Sequence, residues 1–289
     1  MHSAAELVTT VASLAPLPTV YVQVRDEMDK PAGSCAAIAH AISADPALTA
    51  GLLRLVNSAF YGYGGKIETI TRAVTILGMQ QVHDLVLAIS VSAAFSALKP
   101  QRFDMPAFWR SSVMRGLAAR EIGRSHGILG AERLFVIALL ADIGHLVMHQ
   151  SVPELTHEAA DASKRNAEPL HEAERRIVGC DYVEVGATLM SHWKLPSCFA
   201  KIIGAQLVPR LAAESAYEAA IVHLATRIAE ADQNNESSTS AAERVSPVIW
   251  TTLDMQPPSF RNIRECAELD LANYVTLLIP DAGRTHHGH

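Results

Sequence analysis

Asp142, His145 and His149 follow one another at spacings of three and four within LFVIALLADIGHLVMH, residues 134 to 149. On one regular helix they share a face, and a carboxylate beside two imidazoles is a set that could bind a divalent metal. A metal site built by this helix alone needs further ligands from neighbouring helices. The plainer expectation is that His145 and His149 lie towards the helix C-terminus, where imidazoles meet the negative end of the dipole and cap carbonyls. The rest of the stretch is apolar nearly all round, which puts the helix at the centre of a bundle. Asp142 is then a buried carboxylate, costly unless it meets a metal, a cation or several donors. Its partner decides what the protein does, and the expectation is a local hydrogen bond or a basic side chain.

Other candidate groups reduce to structural roles. His83-Asp84 are adjacent, point about 100° apart on a helix, and read as a solvated face. Gly62-Tyr63-Gly64-Gly65-Lys66 lacks the phosphate-loop spacing, since Phe60 stands where the first glycine belongs and Ile67 follows the lysine, so it reads as an interhelix turn. His192 and His223 read as packing or surface residues, and Trp109 and Trp193 as wedges between helices. Cys35, Cys180, Cys198 and Cys266 form no C-x-x-C pair and have no histidine near them in sequence, which fits reduced thiols in a cytoplasm better than a nucleophile or a disulfide framework.

Composition sets the frame for these groups. The 289 residues are 49% hydrophobic with net charge −6, and Lys and Arg are thinly spread, so a nucleic-acid binder is not indicated. The run from Leu85 to Leu98 is shorter than the roughly 20 residues a membrane span needs, and the N-terminal stretch carries Glu6 with no basic residue ahead of its apolar part, unlike a signal peptide. Helical periodicity dominates and no alternating run reads as a strand, so the fold class is all-α. Ser3 to Glu6 has capping-box spacing. Asp45-Pro46 pairs a capping carboxylate with a proline at the first helical position, and Gly78 separates two helices. A boundary between about 98 and 105 divides a first bundle, residues 1–100, from a second, 101–289. Within the second, 154 to 178 reads as an exposed polar helix, Asp181 caps a helix, Pro196 starts a short one, QNNESSTSAAE reads as loop, and 259 to 279 is helical with no assigned docking site.

Taken together the chain resembles the HDOD family, bacterial regulatory proteins whose C-terminal bundle is related to the HD-domain metal-dependent phosphohydrolases. In the first bundle the resemblance lies in LAPLPTV (14 to 20), ISADPALTAGLLRLVNSAFYG (42 to 62) and TRAVTILGMQQVHDLVL (71 to 87). In the second it lies in FWRSS (108 to 112), ALLADIGHLV (138 to 147), EVGATLMSHWKLP (184 to 196) and IVHLAT (221 to 226); it spans about 14 to 230. Within these motifs Asp45, Pro46, Asn57, Ser58, Gly78, Trp109, Gly144, Gly186, Trp193 and Pro196 have structural roles, with Asp45 capping a helix and Asn57 and Ser58 ending it.

The resemblance implies that the metal ligands of the enzymes would fall at Ser111, at Ala141-Asp142 and at Thr226, with further histidines at Tyr182 and Gln206. Only Asp142 survives as a ligand type, and one carboxylate among such residues cannot hold a catalytic metal. The implied protein keeps the HD fold without its chemistry: a non-catalytic signalling module with no cofactor, contacting signalling proteins, including enzymes of cyclic-dinucleotide synthesis or degradation, through a groove between the bundles. Two alternatives stand beside it: a residual nucleotide phosphohydrolase using Asp142 and His145, and a sensor binding a nucleotide or metabolite in the vestigial cleft through Ser111, Tyr182 and Gln206.

Overall fold

The capping residues act where their types dictate. Asp45 accepts the backbone N–H groups of Ala47 and Leu48 at 2.9 and 3.0 Å, and Ser3 and Glu6 close a reciprocal capping box. The structure, a computed structural model, describes residues 1–30, 34–58, 66–96, 98, 100 and 102–279. The glycine-rich turn at 62–65, the Pro31-Ala32-Gly33 helix end and the C-terminal DAGRTHHGH lie outside the described residues. Among the described residues every regular element is helical, as the periodicity predicts.

The first bundle comprises α2 (Thr19–Met28), α3 (Cys35–Ser43), α4 (Pro46–Val56), α5 (Ile70–Leu77) and α6 (Met79–Ser96). Gly78 joins the last two with φ of 84°, a left-handed conformation that glycine adopts without a Cβ clash. Asn57 does more than end α4. Its amide nitrogen donates to the carbonyls of Leu53 and Ile67 at 2.8 and 2.7 Å while its oxygen accepts from the Ile67 N–H at 2.7 Å, clamping the start of the next segment to the helix end.

The second bundle is built on α7 (Met105–Ser125), against which α8 (Ala131–Leu140), α14 (Ala216–Gln233) and α17 (Ser259–Leu278) all pack. Around them lie α9 (Ile143–Ser151), α10 (Pro153–Asn166), α11 (Leu170–Ile177), α12 (Tyr182–His192) and α13 (Ser197–Gly204), followed by a 3-10 segment, Pro209–Ser215. The C-terminal helix α17 finds its place along α7 and also touches α4 and α6, joining the two bundles. Its anchor is Tyr274, whose hydroxyl takes a hydrogen bond from the buried Arg120 at 2.6 Å.

Several expectations need correcting. The 134–149 stretch is two helices, broken at Ala141-Asp142, so Asp142 stands at the N-cap position of α9 and His145 lies in its first turn, away from the C-terminal end. The first helix, α1 (Ala4–Ala12), packs on α9 and α12 of the second bundle, burying Leu7, Val8 and Val11, although the sequence groups it with the first. His83 and Asp84 are buried, because α8 covers the face of α6 that adjacency alone reads as solvated. Asp84 accepts from Gln80 at 3.0 Å and lies 3.6 Å from Arg133 on α8, and His83 packs on Tyr21. The segment 154–178 forms α10 and α11 and buries Thr156, Ala159, Ala173 and Glu174. Part of the presumed loop is a short helix, α15 (Ser238–Glu243), capped by Ser237 and followed by α16 (Pro247–Thr252). Trp109 and Trp193 are buried; Trp193 meets Phe95 of α6 edge-on at 5.7 Å and so packs across the junction between bundles.

Candidate functional site

A cavity of about 950 Å³ opens between α7, α9, α11, α12 and α14, with Asp142 in its wall. The break that presents Asp142 is built by its neighbours. In an unbroken helix the Ala141 carbonyl would accept from the His145 N–H; here the His145 N–H donates to the Asp142 carbonyl at 2.9 Å. The freed Ala141 carbonyl accepts from the Gln206 side-chain amide at 2.7 Å. Gly144 lets the break seat against α12, since a Cβ at that position would lie 1.9 Å from the Tyr182 carbonyl oxygen. Gly186 faces it across the same crossing.

The partner of Asp142 is Arg115. The guanidinium, from the middle of α7 and 2% exposed, forms an ion pair with the carboxylate through Nη2 and reaches the Ala138 carbonyl at 3.4 Å through Nη1. Arg115 lies one turn beyond Ser111 on the same helix face, so the spacing of four in SSVMR placed a cation beside the first ligand position of the resemblance. Sequence reasoning did not use that signal. A fixed, hydrogen-bonded cation is the kind of partner a half-buried carboxylate requires.

A second pair sits beside the first. His145 Nδ1 is 3.4 Å from Glu174 Oε1, and the other oxygen of Glu174 accepts the Tyr182 N–H at 3.0 Å. The His145 ring stacks on the Tyr182 ring, 4.0 Å between centroids and 15° from parallel. Burial pulls the His145 pKa down, but the Glu174 hydrogen bond and charge, with Asp142 behind them, outweigh it and hold the ring above its ordinary value. His149, one turn on, has no such carboxylate; burial and the neighbouring His145 and His157 push it down to about 4. Burial and the Asp142 charge raise the Tyr182 phenol well above its usual range. The buried Glu174 was not legible, because it lies in the stretch 154 to 178 that reads as polar and exposed.

Of the residues that the resemblance places at the vestigial site, Ser111, Asp142 and Tyr182 share the cavity wall. Ala141 and Gln206 are buried behind it and serve the helix break, and the Thr226 hydroxyl is spent on the Val222 carbonyl of its own helix at 2.9 Å. His223 lines the cavity with its Nδ1 on the Gln206 carbonyl at 2.7 Å, and Arg227, Glu230 and Arg244, none of them anticipated, complete the wall. These residues do not fit a divalent ion of the kind the HD enzymes hold: Asp142 is engaged by a guanidinium, and a serine, an alanine and a threonine stand at the other implied positions. Among the described residues no group of three or more His, Cys, Asp or Glu is arranged to hold a metal ion.

The all-helical architecture, with a carboxylate at a helix break facing a cleft of the second bundle, defines a bundle of the HD-domain type. The chain belongs to the HDOD domain family, whose model matches residues 14–209. Solved structures share the fold over nearly the whole length. A protein from Shewanella amazonensis SB2B with the provisional name of phosphohydrolase is 26% identical, with TM-score 0.73 and coverage of 97% of this chain and 98% of that one. An HDOD domain protein of unknown function from Geobacter sulfurreducens is 18% identical, with TM-score 0.75 and coverage of 96% and 98%. A protein from Marinobacter aquaeolei VT8, provisionally named a signal transduction protein, is 18% identical with TM-score 0.66, covering 94% of this chain and 59% of that one. Among curated sequences, an uncharacterised protein of Treponema pallidum (strain Nichols) is 24% identical over 195 residues, which is 67% of this chain and 37% of that relative's length. Among the described residues no single helix is long and apolar enough to cross a membrane; α3 and α4 together pass by length and composition only, as a pair bent by 117°.

Proposed function

We propose that this protein is a non-catalytic regulatory module that works in bacterial signalling through protein contacts, with cyclic-dinucleotide, motility or stress signalling as the setting. The observation that carries this reading is the Arg115–Asp142 ion pair: the one carboxylate retained from the HD ligand set is bound to a guanidinium from the helix that would otherwise supply a ligand. Family membership and the likeness to the Marinobacter protein support the regulatory part of it.

The contact surface in this reading is the groove where the bundles meet. A hollow of about 700 Å³ lies there, walled by Leu77, Met79, Ile128 and Ile202, with Leu129 at its rim 99% exposed. A large apolar side chain standing free beside an apolar groove is a feature of protein-binding surfaces. Partners of this surface are other signalling proteins, not nucleic acid.

The competing reading, a residual metal-dependent nucleotide phosphohydrolase, draws support from the name of the Shewanella protein. Elemental analysis and a nucleotide hydrolysis assay on wild type and Asp142→Ala separate the two. The adaptor reading expects metal well below one equivalent and no hydrolysis by either protein. One equivalent of metal, or hydrolysis, that disappears in Asp142→Ala would overturn it.

A further inference from the structure

The groove where the bundles meet holds two carboxylates that the protein leaves unanswered. Glu132 stands in the first turn of α8 and Glu218 in the first turn of α14, and both line the hollow of about 700 Å³. Glu132 is only 9% exposed, yet among the described residues neither it nor Glu218 makes a side-chain hydrogen bond or an ion pair. A carboxylate that is nine-tenths buried is costly to hold without a partner, and the positive end of α8 offsets only part of that cost. The carboxylate of Glu132 is not sealed in: its oxygens keep accessible surface, and the hollow is the space it lines.

The other charges of the wall do not answer them. Among the described lining residues the one cation is Arg133, which lies 3.6 Å from the buried Asp84 and is spent on it. Gln80 is spent on the same group, donating to it at 3.0 Å. With Asp84 and Arg133 cancelling, the wall keeps a negative charge that comes from Glu132 and Glu218. Beside them Leu129 stands free over apolar side chains. An apolar groove with unspent carboxylates fits a helix that carries an apolar row flanked by Lys or Arg, and it repels an acidic one.

We infer that the occupant of this groove is a basic amphipathic helix of a partner protein, its apolar row seated on Leu129 and its neighbours and its Lys or Arg side chains taken by Glu132 and Glu218. The inference rests on the reading of the groove as the contact surface and adds the chemistry of what it holds. Apolar contact supplies the hold, while the two carboxylates choose the partner and speed its association, an effect that salt weakens.

The test is fluorescence anisotropy of the full chain with two labelled synthetic amphipathic helices that share one leucine face, one flanked by lysines and the other by glutamates. At low salt the lysine peptide is expected to bind at least ~10-fold more tightly than the glutamate peptide, the equivalent of about one charge-assisted hydrogen bond. Most of that preference should vanish in Glu132→Gln/Glu218→Gln and part of it in Glu218→Gln alone. Glu154→Gln/Glu158→Gln removes as much charge from exposed positions on α10 and should keep it. An unchanged urea midpoint of the peptide-free variants shows that the loss is one of binding. Leu129→Ser is expected to weaken the lysine peptide at least ~10-fold. A lysine peptide that binds Leu129→Ser as it binds the wild type would remove the groove reading and the inference with it. Weakening by Leu129→Ser with no preference for lysine, or with a preference that survives Glu132→Gln/Glu218→Gln, would leave the contact surface in place and overturn the inference alone. A lysine peptide that does not bind the wild type would also overturn it.

Discussion

Gln206, just beyond α13, donates its side-chain amide to the Ala141 carbonyl at 2.7 Å, filling the gap that the helix leaves when it breaks before Asp142. The carbonyl is buried, and so is the amide that satisfies it. Gln206→Leu removes the donor while preserving bulk, and is expected to destabilise the fold by about 1–3 kcal/mol, the cost of a buried acceptor left unmade. Urea unfolding checks it: the midpoint falls with the slope unchanged if only this bond is lost.

The α9–α12 crossing sets a sharper steric condition. Gly144→Ala places a methyl 1.9 Å from the Tyr182 carbonyl oxygen, a backbone atom that cannot step aside, whereas at Gly186 the nearest atom is a side-chain carbon, Ile203 Cγ2, at 3.3 Å. Gly144→Ala should therefore cost more than about 3 kcal/mol or prevent folding, and Gly186→Ala about 1–2 kcal/mol. Equal effects from the two substitutions, read by thermal unfolding, would contradict the close approach at Gly144.

The two histidines of α9 are expected to pull stability in opposite directions with pH. His149 has a folded pKa of about 4, below the unfolded value near 6.5, so the unfolded chain takes up the proton first and stability falls as pH drops from about 6.5 towards 4. His149→Leu should relieve that loss, by an amount of order 2 kcal/mol at pH 4 once partial exposure is discounted. His145 is raised, so its contribution is complete below pH 6.5 and fades as pH rises through the folded value. Glu174→Gln removes the hydrogen-bonded charge and should lower the His145 pKa, as read by NMR titration of the imidazole.

The groove reading makes its own prediction. Leu129→Asp changes a side chain that is 99% exposed, so it should leave the unfolding midpoint within about 0.5 kcal/mol of wild type while weakening capture of a signalling partner by the native protein. Capture by Leu129→Asp equal to wild type would move the contact surface elsewhere.

Local signals were legible wherever a residue acts on its own chain neighbours. Asp45, Pro46, Ser3 and Gly78 could be read because caps and left-handed joints depend on a few adjacent residues. Relations across helices were not legible in the same way. The break at Ala141 is imposed by Gln206 and by α12, which an unbroken apolar run does not reveal. The burial of His83 and Asp84 depends on α8 covering their helix, and the transfer of α1 to the second bundle depends on which apolar faces were left uncovered. Arg115 lies between these cases: its spacing of four from Ser111 was in view, but its meeting with Asp142 required the crossing of α7 with the segment between α8 and α9.

The pairing of Asp142 with a guanidinium in place of a metal is tested most directly by a double-mutant cycle on Arg115→Met and Asp142→Leu. It is read by urea unfolding, once with a chelator and once with a divalent cation present. Each single substitution strands its partner and should cost about 2–4 kcal/mol, while the double variant should lose much less than the sum, giving a coupling of at least ~2 kcal/mol that the cation does not alter. Additive losses, or a wild-type stability that rises with the divalent cation and loses that rise in Asp142→Leu, would contradict it.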